Sequence, residues 1–126
     1  MHLLENLLQT LREEQMYEAV LHIAREILLM GKDRKNKRFI AFANLIIGEV
    51  LIQQYQDDPQ SIKDAEAYLS EANIAYTTDA TILNDEEYGR VAISLSSVYR
   101  LLGDPARSKL YLELAKEKTK DKNLLL

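Results

Sequence analysis

Residues 89–115 read GRVAISLSSVYRLLGDPARSKLYLELA, and this stretch decides the fold. Apolar residues recur at three- and four-residue spacings on both sides of Gly103, which is the spacing of an amphipathic helix. Asp104 and Pro105 follow the glycine, and an acidic N-cap before a proline at the first helical position is a typical helix start. The stretch therefore predicts two helices joined by a tight turn.

The same signals continue through the rest of the chain. Asp58 stands before a proline and predicts another helix start, and Asn84 with Glu87 forms a capping-box pattern. Gly31 follows an apolar stripe and is expected to end the second helix as its C′ residue. The sequence thus predicts an all-α protein of six helices, each of about 15 to 20 residues. They form three antiparallel pairs, at approximately 1–31, 37–78 and 84–121, in one domain spanning 1–126.

Composition excludes several classes of protein. The 126 residues are 47% apolar and 29% charged, which is typical of a globular domain, and four Gly with two Pro are too few for an all-β fold. The absence of Cys excludes disulfides and cysteine-ligated metals. A net charge of −4 disfavours bulk affinity for nucleic acid or for an acidic membrane.

The longest apolar stretch, 39–52, is shorter than the roughly 20 residues of a spanning helix. We therefore expect no membrane insertion, and with no recognisable targeting segment the cytoplasm is the expected compartment.

The stretch at 89–115 resembles a tetratricopeptide (TPR) repeat. In that register Leu95 and Ser96 occupy the Leu/Gly pair, Tyr99 the aromatic position and Gly103 the turn. Small, large and small residues then recur along the second helix. These are Ser108, Leu112 and Ala115. Small residues let two helices approach closely, and a large one fills the space between repeats.

The middle pair fits the same register less closely. Gly48 occupies the glycine position, and Ala65, Leu69 and Ala72 form the small, large, small series. Here the predicted turn is five residues longer and lacks glycine, and the first pair matches by helix pattern only. The resemblance implies three pairs stacked as a TPR-like right-handed superhelix. An unrelated six-helix bundle is the alternative.

Catalytic patterns are scarce. His22 and Glu26 have the i, i+4 spacing of a helical metal pair, but a metal site needs further ligands placed with them. Paired carboxylates occur only where helix starts favour acids. The sequence contains no phosphate-binding glycine loop and no nucleophile-elbow motif. We expect a protein that is not an enzyme and that carries no cofactor or metal.

Residues 32–38 hold five basic side chains in seven positions. They are Lys32, Arg34, Lys35, Lys37 and Arg38. One interpretation is a contact for phosphate, nucleic acid or an acidic partner, which makes a nucleic-acid-associated regulator the alternative function. The other is a solvated link whose cations stabilise the end of the second helix. No aromatic residue interrupts the run, so stacking on single-stranded bases is unsupported and nucleic acid is the less favoured partner.

The TPR resemblance implies protein–protein recognition by an adaptor, scaffold or regulatory module. Such proteins capture a peptide or partner helix in a groove lined by the first helix of each pair. The groove residues implied here are Phe42, Leu45, Glu49, Ile52, Gln53, Arg90, Ile93, Ser97, Arg100 and Leu101. Among them, Arg90 and Arg100 are expected to pair with partner carboxylates, and Phe42, Leu45 and Ile93 to offer apolar anchors. Glu49 and Ser97 stand where carboxylate-clamp repeats carry Asn, which disfavours that binding mode.

Leucines at both ends of the chain suggest self-association. A stripe runs from Leu3 to Leu11, and the sequence closes with Leu124, Leu125 and Leu126. Apolar ends without polar caps predict packing against another surface, with a homodimer as one possibility. Since three pairs are near the minimum for a stable stack, a piece of a longer TPR regulator is a further alternative.

Overall fold

A computed structural model describes residues 2–119, and all six expected helices form within them. They are α1 (His2–Glu13), α2 (Tyr17–Asp33), α3 (Lys37–Tyr55), α4 (Pro59–Thr78), α5 (Asp85–Leu101) and α6 (Pro105–Thr119). This part of the chain contains no strand. The prediction of an all-α fold is confirmed. The predicted role of Leu124 to Leu126 falls outside the described residues.

The helix ends follow the expected capping chemistry. The side chains of Asn36 and Asp58 accept backbone N–H groups at the starts of α3 and α4. Asn84 and Glu87 form a complete capping box, with each side chain accepting the other residue's backbone N–H at 2.7 and 2.9 Å. Gly103 adopts a positive φ of 81° directly after the fifth helix, a conformation that favours glycine.

Gly31 does not end α2, and that prediction is wrong. The helix continues to Asp33, and Lys35, with a φ of 54°, makes the turn toward α3. Gly31 is buried, and a Cβ there would lie 3.0 Å from the Cβ of Phe39 and 3.2 Å from the backbone nitrogen of Ile40. The glycine therefore allows α2 to pack closely against α3 and does not cap a helix.

The long turn predicted for the middle pair is also wrong. Three residues connect α3 to α4, and three connect α5 to α6. The five additional residues instead lengthen the helices, two of them in α3 after Gly48 and three in α4 before Ala65. In contrast, α1 has only 12 residues and is shorter than expected.

Neighbouring helices in the sequence pack against one another in order along the chain. Among the described helices, the one further pair whose backbones lie close together is α3 with α5. Their shared core contains Ile47, Val50, Leu69, Leu95 and Val98, none of which is exposed to solvent. Among helices that are consecutive in the sequence, α1 and α2 make the sparsest contacts. Thus α3 lies at the centre, and α1 and α6 lie at the two ends.

Gly48 is expected to resist substitution because α4 packs directly on it. A Cβ at this position would lie 2.4 Å from Cγ of Leu69. Gly48→Ala should therefore lower the free energy of unfolding by about 1–3 kcal/mol through overpacking, as measured by urea denaturation.

The control is the same substitution in a Leu69→Ala background, where the clashing atoms are gone. There, Gly48→Ala should be neutral or stabilise the fold by up to about 1 kcal/mol, because alanine favours helix. An equal loss in both backgrounds would contradict the proposed contact.

Candidate functional site

A groove lies between α1 and α5, with α3 as its floor. The two walls do not pack against each other along the described chain, which leaves the space between them open. Three cavities of about 220, 440 and 230 Å³ follow one another along it and share Arg12. The lining extends over 5–13 of α1, 42–53 of α3, and 84–97 of α5 and its N-cap. We call this space the groove.

Seven of the ten residues expected from the sequence line the groove, and six of these are at least partly exposed to solvent. The six are Glu49, Ile52, Gln53, Arg90, Ile93 and Ser97. Since α3 contributes the first three and α5 the last three, the first helices of the second and third pairs do share one surface.

The four expected residues not among these six lie elsewhere or are covered. Leu45 is wholly buried, and Phe42 is 3% exposed and only reaches the groove floor. Neither offers an open apolar anchor, because α3 is enclosed by α2, α4 and α5 over most of its surface. Arg100 is exposed and Leu101 packs partly against the core, and neither lines the three cavities.

A carboxylate held by two arginines occupies the centre of the groove. Arg90 donates to Glu49 through Nε at 3.0 Å and Nη2 at 2.6 Å. Arg12 donates to the same carboxylate at 3.1 Å and to Oε1 of Gln53 at 3.1 Å. Such charge-assisted, bidentate bonds are strong and directional. Together they join α1, α3 and α5.

The hydrogen bonds to Glu49 stabilise the charged form of Arg90. Burial lowers the pKa of Arg90, but its hydrogen bonds to Glu49 and the nearby carboxylates of Glu86 and Glu87 outweigh that effect and raise the pKa above the ordinary value. Arg90 is therefore a cation already paired within the chain, so a partner carboxylate would have to compete with Glu49 for it, and its role in binding stays a prediction.

A second cluster of ion pairs closes one end of the groove. Arg38 donates to both carboxylate oxygens of Glu87, at 2.5 and 2.7 Å, and to Glu5 at 3.0 Å. The same guanidinium donates to the backbone carbonyl of Ile82 at 3.1 Å and lies 5.4 Å from the centre of the Phe42 ring. It thus ties α1, α3 and the start of α5 together.

This arrangement corrects the interpretation of the basic run at 32–38. Arg38 is an internal ion-pair partner on α3 rather than a free surface cation. The other four basic side chains are exposed, with Lys32 at the end of α2 and Lys37 at the start of α3. Only residues 34–36 form the connection between the helices.

The wall formed by α1 was missed by sequence reasoning. Glu5, Arg12 and Glu13 line the groove, but the first pair carries no TPR marks that would place them there. Glu87 was recognised as a helix cap, and nothing in its spacing pointed to Arg38. The available signal was limited to the amphipathic pattern of α1, which leaves these charges outside its apolar stripe.

Other candidate sites acquire no support from the structure. His22 and Glu26 are both exposed on α2. Along residues 2–119, no three His, Cys, Asp or Glu side chains are grouped closely enough to hold a metal ion. Over the same residues, no helix has the length and apolar character needed to cross a membrane.

Part of the leucine stripe on α1 remains open to solvent. Leu8 is buried, and Leu4 and Leu11 pack partly against the core. Leu3 and Leu7 are 84% and 45% exposed. Self-association through this end of the molecule stays a prediction.

Comparison with known proteins does not assign the chain to a family. None of the family models, curated proteins or solved structures compared with it matches. Function is therefore inferred from the geometry and charges of the groove.

Acidification is expected to destabilise the fold by protonating Glu87. Burial raises the pKa of this carboxyl, but hydrogen bonds from Arg38 and from the backbone N–H of Asn84 bring it below the ordinary value of 4.5. A carboxyl whose folded pKa is depressed stabilises the fold above its unfolded pKa, and that stability is lost as the pH falls through the folded pKa. The Tm of the wild type should therefore fall from about pH 5 downward more steeply than that of Glu87→Gln.

Glu86→Gln is the control, since Glu86 is exposed, and it should keep the wild-type slope. Parallel curves for wild type and Glu87→Gln would contradict the assignment.

Charge reversal at Arg90 is expected to cost stability. Arg90→Glu places a second carboxylate against Glu49 and should reduce the free energy of unfolding by about 1–3 kcal/mol. Arg100→Glu makes the same change at an exposed residue that has no ion pair within residues 2–119, and its stability should stay close to wild type. Chemical denaturation distinguishes the two variants, and equal losses would argue against the pairing of Arg90 with Glu49.

Proposed function

We propose that the chain is a non-enzymatic, TPR-like protein-interaction module that captures a peptide or a partner helix in the groove. The observation that carries the proposal is the groove itself, which is open and elongated and is built from the first helices of three successive pairs. Binding surfaces of helical-repeat proteins arise in this way, since each repeat adds a segment to a shared face.

The helix packing supports the repeat interpretation. Neighbouring helices contact one another in order, and the further contact between α3 and α5 joins the first helices of two pairs. Small residues occupy corresponding positions in these helices. Gly48 admits Leu69 of α4, and Ser96 admits α6 so closely that its hydroxyl donates to the carbonyl of Ser108 at 2.7 Å. Both pairs therefore use a small residue at the same register position for close approach.

The shape and lining of the groove favour a chain-like occupant. One end is lined by Ile52 and Ile93 with two serines, and the centre by paired charges. A segment lying along it would place an apolar side chain on the isoleucines and polar groups on the charged centre. Helix-in-groove and extended-peptide recognition both combine apolar anchors with polar contacts in this way.

The pairing of the charged side chains favours protein recognition over catalysis and over nucleic-acid binding. The arginines at the centre hold Glu49 rather than standing ready for catalysis. The nucleic-acid alternative loses one of its five cations, because Arg38 pairs with Glu87 and Glu5. We therefore propose no second function.

The groove is expected to be the site where peptides bind. Ile93 lines its apolar end and is half-buried, so Ile93→Arg should obstruct it without disturbing the core. Random peptides of about 12 residues, displayed on phage, would be selected on the immobilised full chain. Selected peptides should bind Ile93→Arg at least about tenfold more weakly than wild type in fluorescence polarisation.

The matched control is Ile74→Arg, which makes the same substitution at a residue of α4 that is 56% exposed. It should bind the selected peptides like wild type, and both variants should keep the wild-type circular dichroism spectrum. Failure to select any peptide, or equal binding to the two variants, would refute the proposed function.

A further inference from the structure

We propose that the groove selects a partner segment bearing a lysine or arginine side chain, which lies between Glu13 of α1 and Glu86 of α5. This inference rests on the proposed function, because it names the chemistry of the segment that the groove captures. It also reverses the charge expected from the sequence, where Arg90 and Arg100 were predicted to receive partner carboxylates.

The two arginines that line the groove are both engaged within the chain. Arg12 and Arg90 share the carboxylate of Glu49, whose side chain is 12% exposed. A partner carboxylate at this point would have to displace one that the chain already supplies at bidentate geometry. The arginines are thus poor receptors for an acidic segment.

Two carboxylates of the groove remain without an ion-pair partner within residues 2–119. Glu13 and Glu86 are exposed and line the 440 Å³ cavity from opposite walls. Neither has an ion pair within the described residues. Glu13 accepts a hydrogen bond from the neutral amide of Gln9 at 3.2 Å, and the charge of Glu86 reaches Arg90 without a salt bridge. The uncompensated charge of the cavity is therefore negative.

Charge complementarity favours a basic side chain in this cavity. A cationic side chain entering between two carboxylates gains attraction from both walls, and these two negative charges outweigh the single net positive charge of Arg12, Glu49 and Arg90 below it. An acidic side chain at the same place would face Glu13 and Glu86 and find no free cation. Interfaces with complementary charge suppress wrong partners more strongly than they raise affinity, so the effect is one of selection.

The test uses the peptides selected on the full wild-type chain. Those that bind the groove should carry Lys or Arg more often than the starting library, and their affinity should fall as salt rises. Glu13→Lys with Glu86→Lys should weaken binding by about tenfold or more. Replacing the basic residue of one such peptide by Glu should restore binding to this double variant and abolish it for wild type.

Glu71→Lys with Glu117→Lys is the matched control. Both residues are exposed, and neither lines a cavity of the groove, so the net charge changes equally while the groove does not. This variant should keep wild-type affinity.

The outcomes separate the two proposals. Two outcomes would overturn the inference and leave the proposed function standing. In the first, the peptides lose affinity for Ile93→Arg but are acidic or neutral. In the second, they lose affinity for Ile93→Arg but bind the Glu13→Lys, Glu86→Lys double variant as well as wild type. Peptides that bind both Ile93→Arg and Ile74→Arg equally would overturn both.

Discussion

The enclosure of α3 is the constraint on which the rest of the structure depends. From Ala41 to Leu51 every residue except Glu49 is buried, because α2, α4 and α5 all pack on this helix. A charge on such a helix is costly unless it is paired and hydrogen-bonded. Glu49 meets this requirement with Arg12 and Arg90, and those bonds in turn fix α1 and α5 on either side of α3. The groove exists where these pairs, through Glu49, link α1 and α5, which do not pack against each other.

The two walls of the groove are held by different forces. On the α5 side, apolar side chains such as Val91, Leu95 and Val98 are wholly buried, so this wall is part of the core. On the α1 side, Leu8 is the one described residue that is fully covered. Leu4 and Leu11 pack partly against the core, and the ion pairs of Glu5 and Arg12 add further anchors. Elements with few buried apolar contacts open at lower free energy than core elements. The wall that carries Glu13 is therefore the one able to adjust to an occupant.

Local features of the fold were predictable from the sequence, and long-range ones were not. Asp58 and Asn84 act within three residues of themselves, so their capping roles follow from spacing alone. Gly31 shows the limit of such local prediction. A glycine after an apolar stripe gives the same sequence pattern whether it ends a helix or allows a neighbouring helix to pack closely. Arg38 and Glu87 are 49 residues apart, and no local pattern links them. The same holds for Leu45, whose burial depends on which helices cover α3.

The distinction between local and long-range features applies also to the charges of the candidate site. A sequence reports how many charges a face carries, but binding depends on those left unpaired after folding. Arg90 appeared as a cation available to a partner, yet folding assigns it to Glu49, and the charges left over belong to Glu13 and Glu86. An ion pair satisfied inside the chain must be broken before either member can bind elsewhere, so the proposed selection of a basic segment rests on the leftover carboxylates. On this proposal, the sign of a partner's charge follows from the pairing within the groove, and a count of the charged residues in the groove does not determine it.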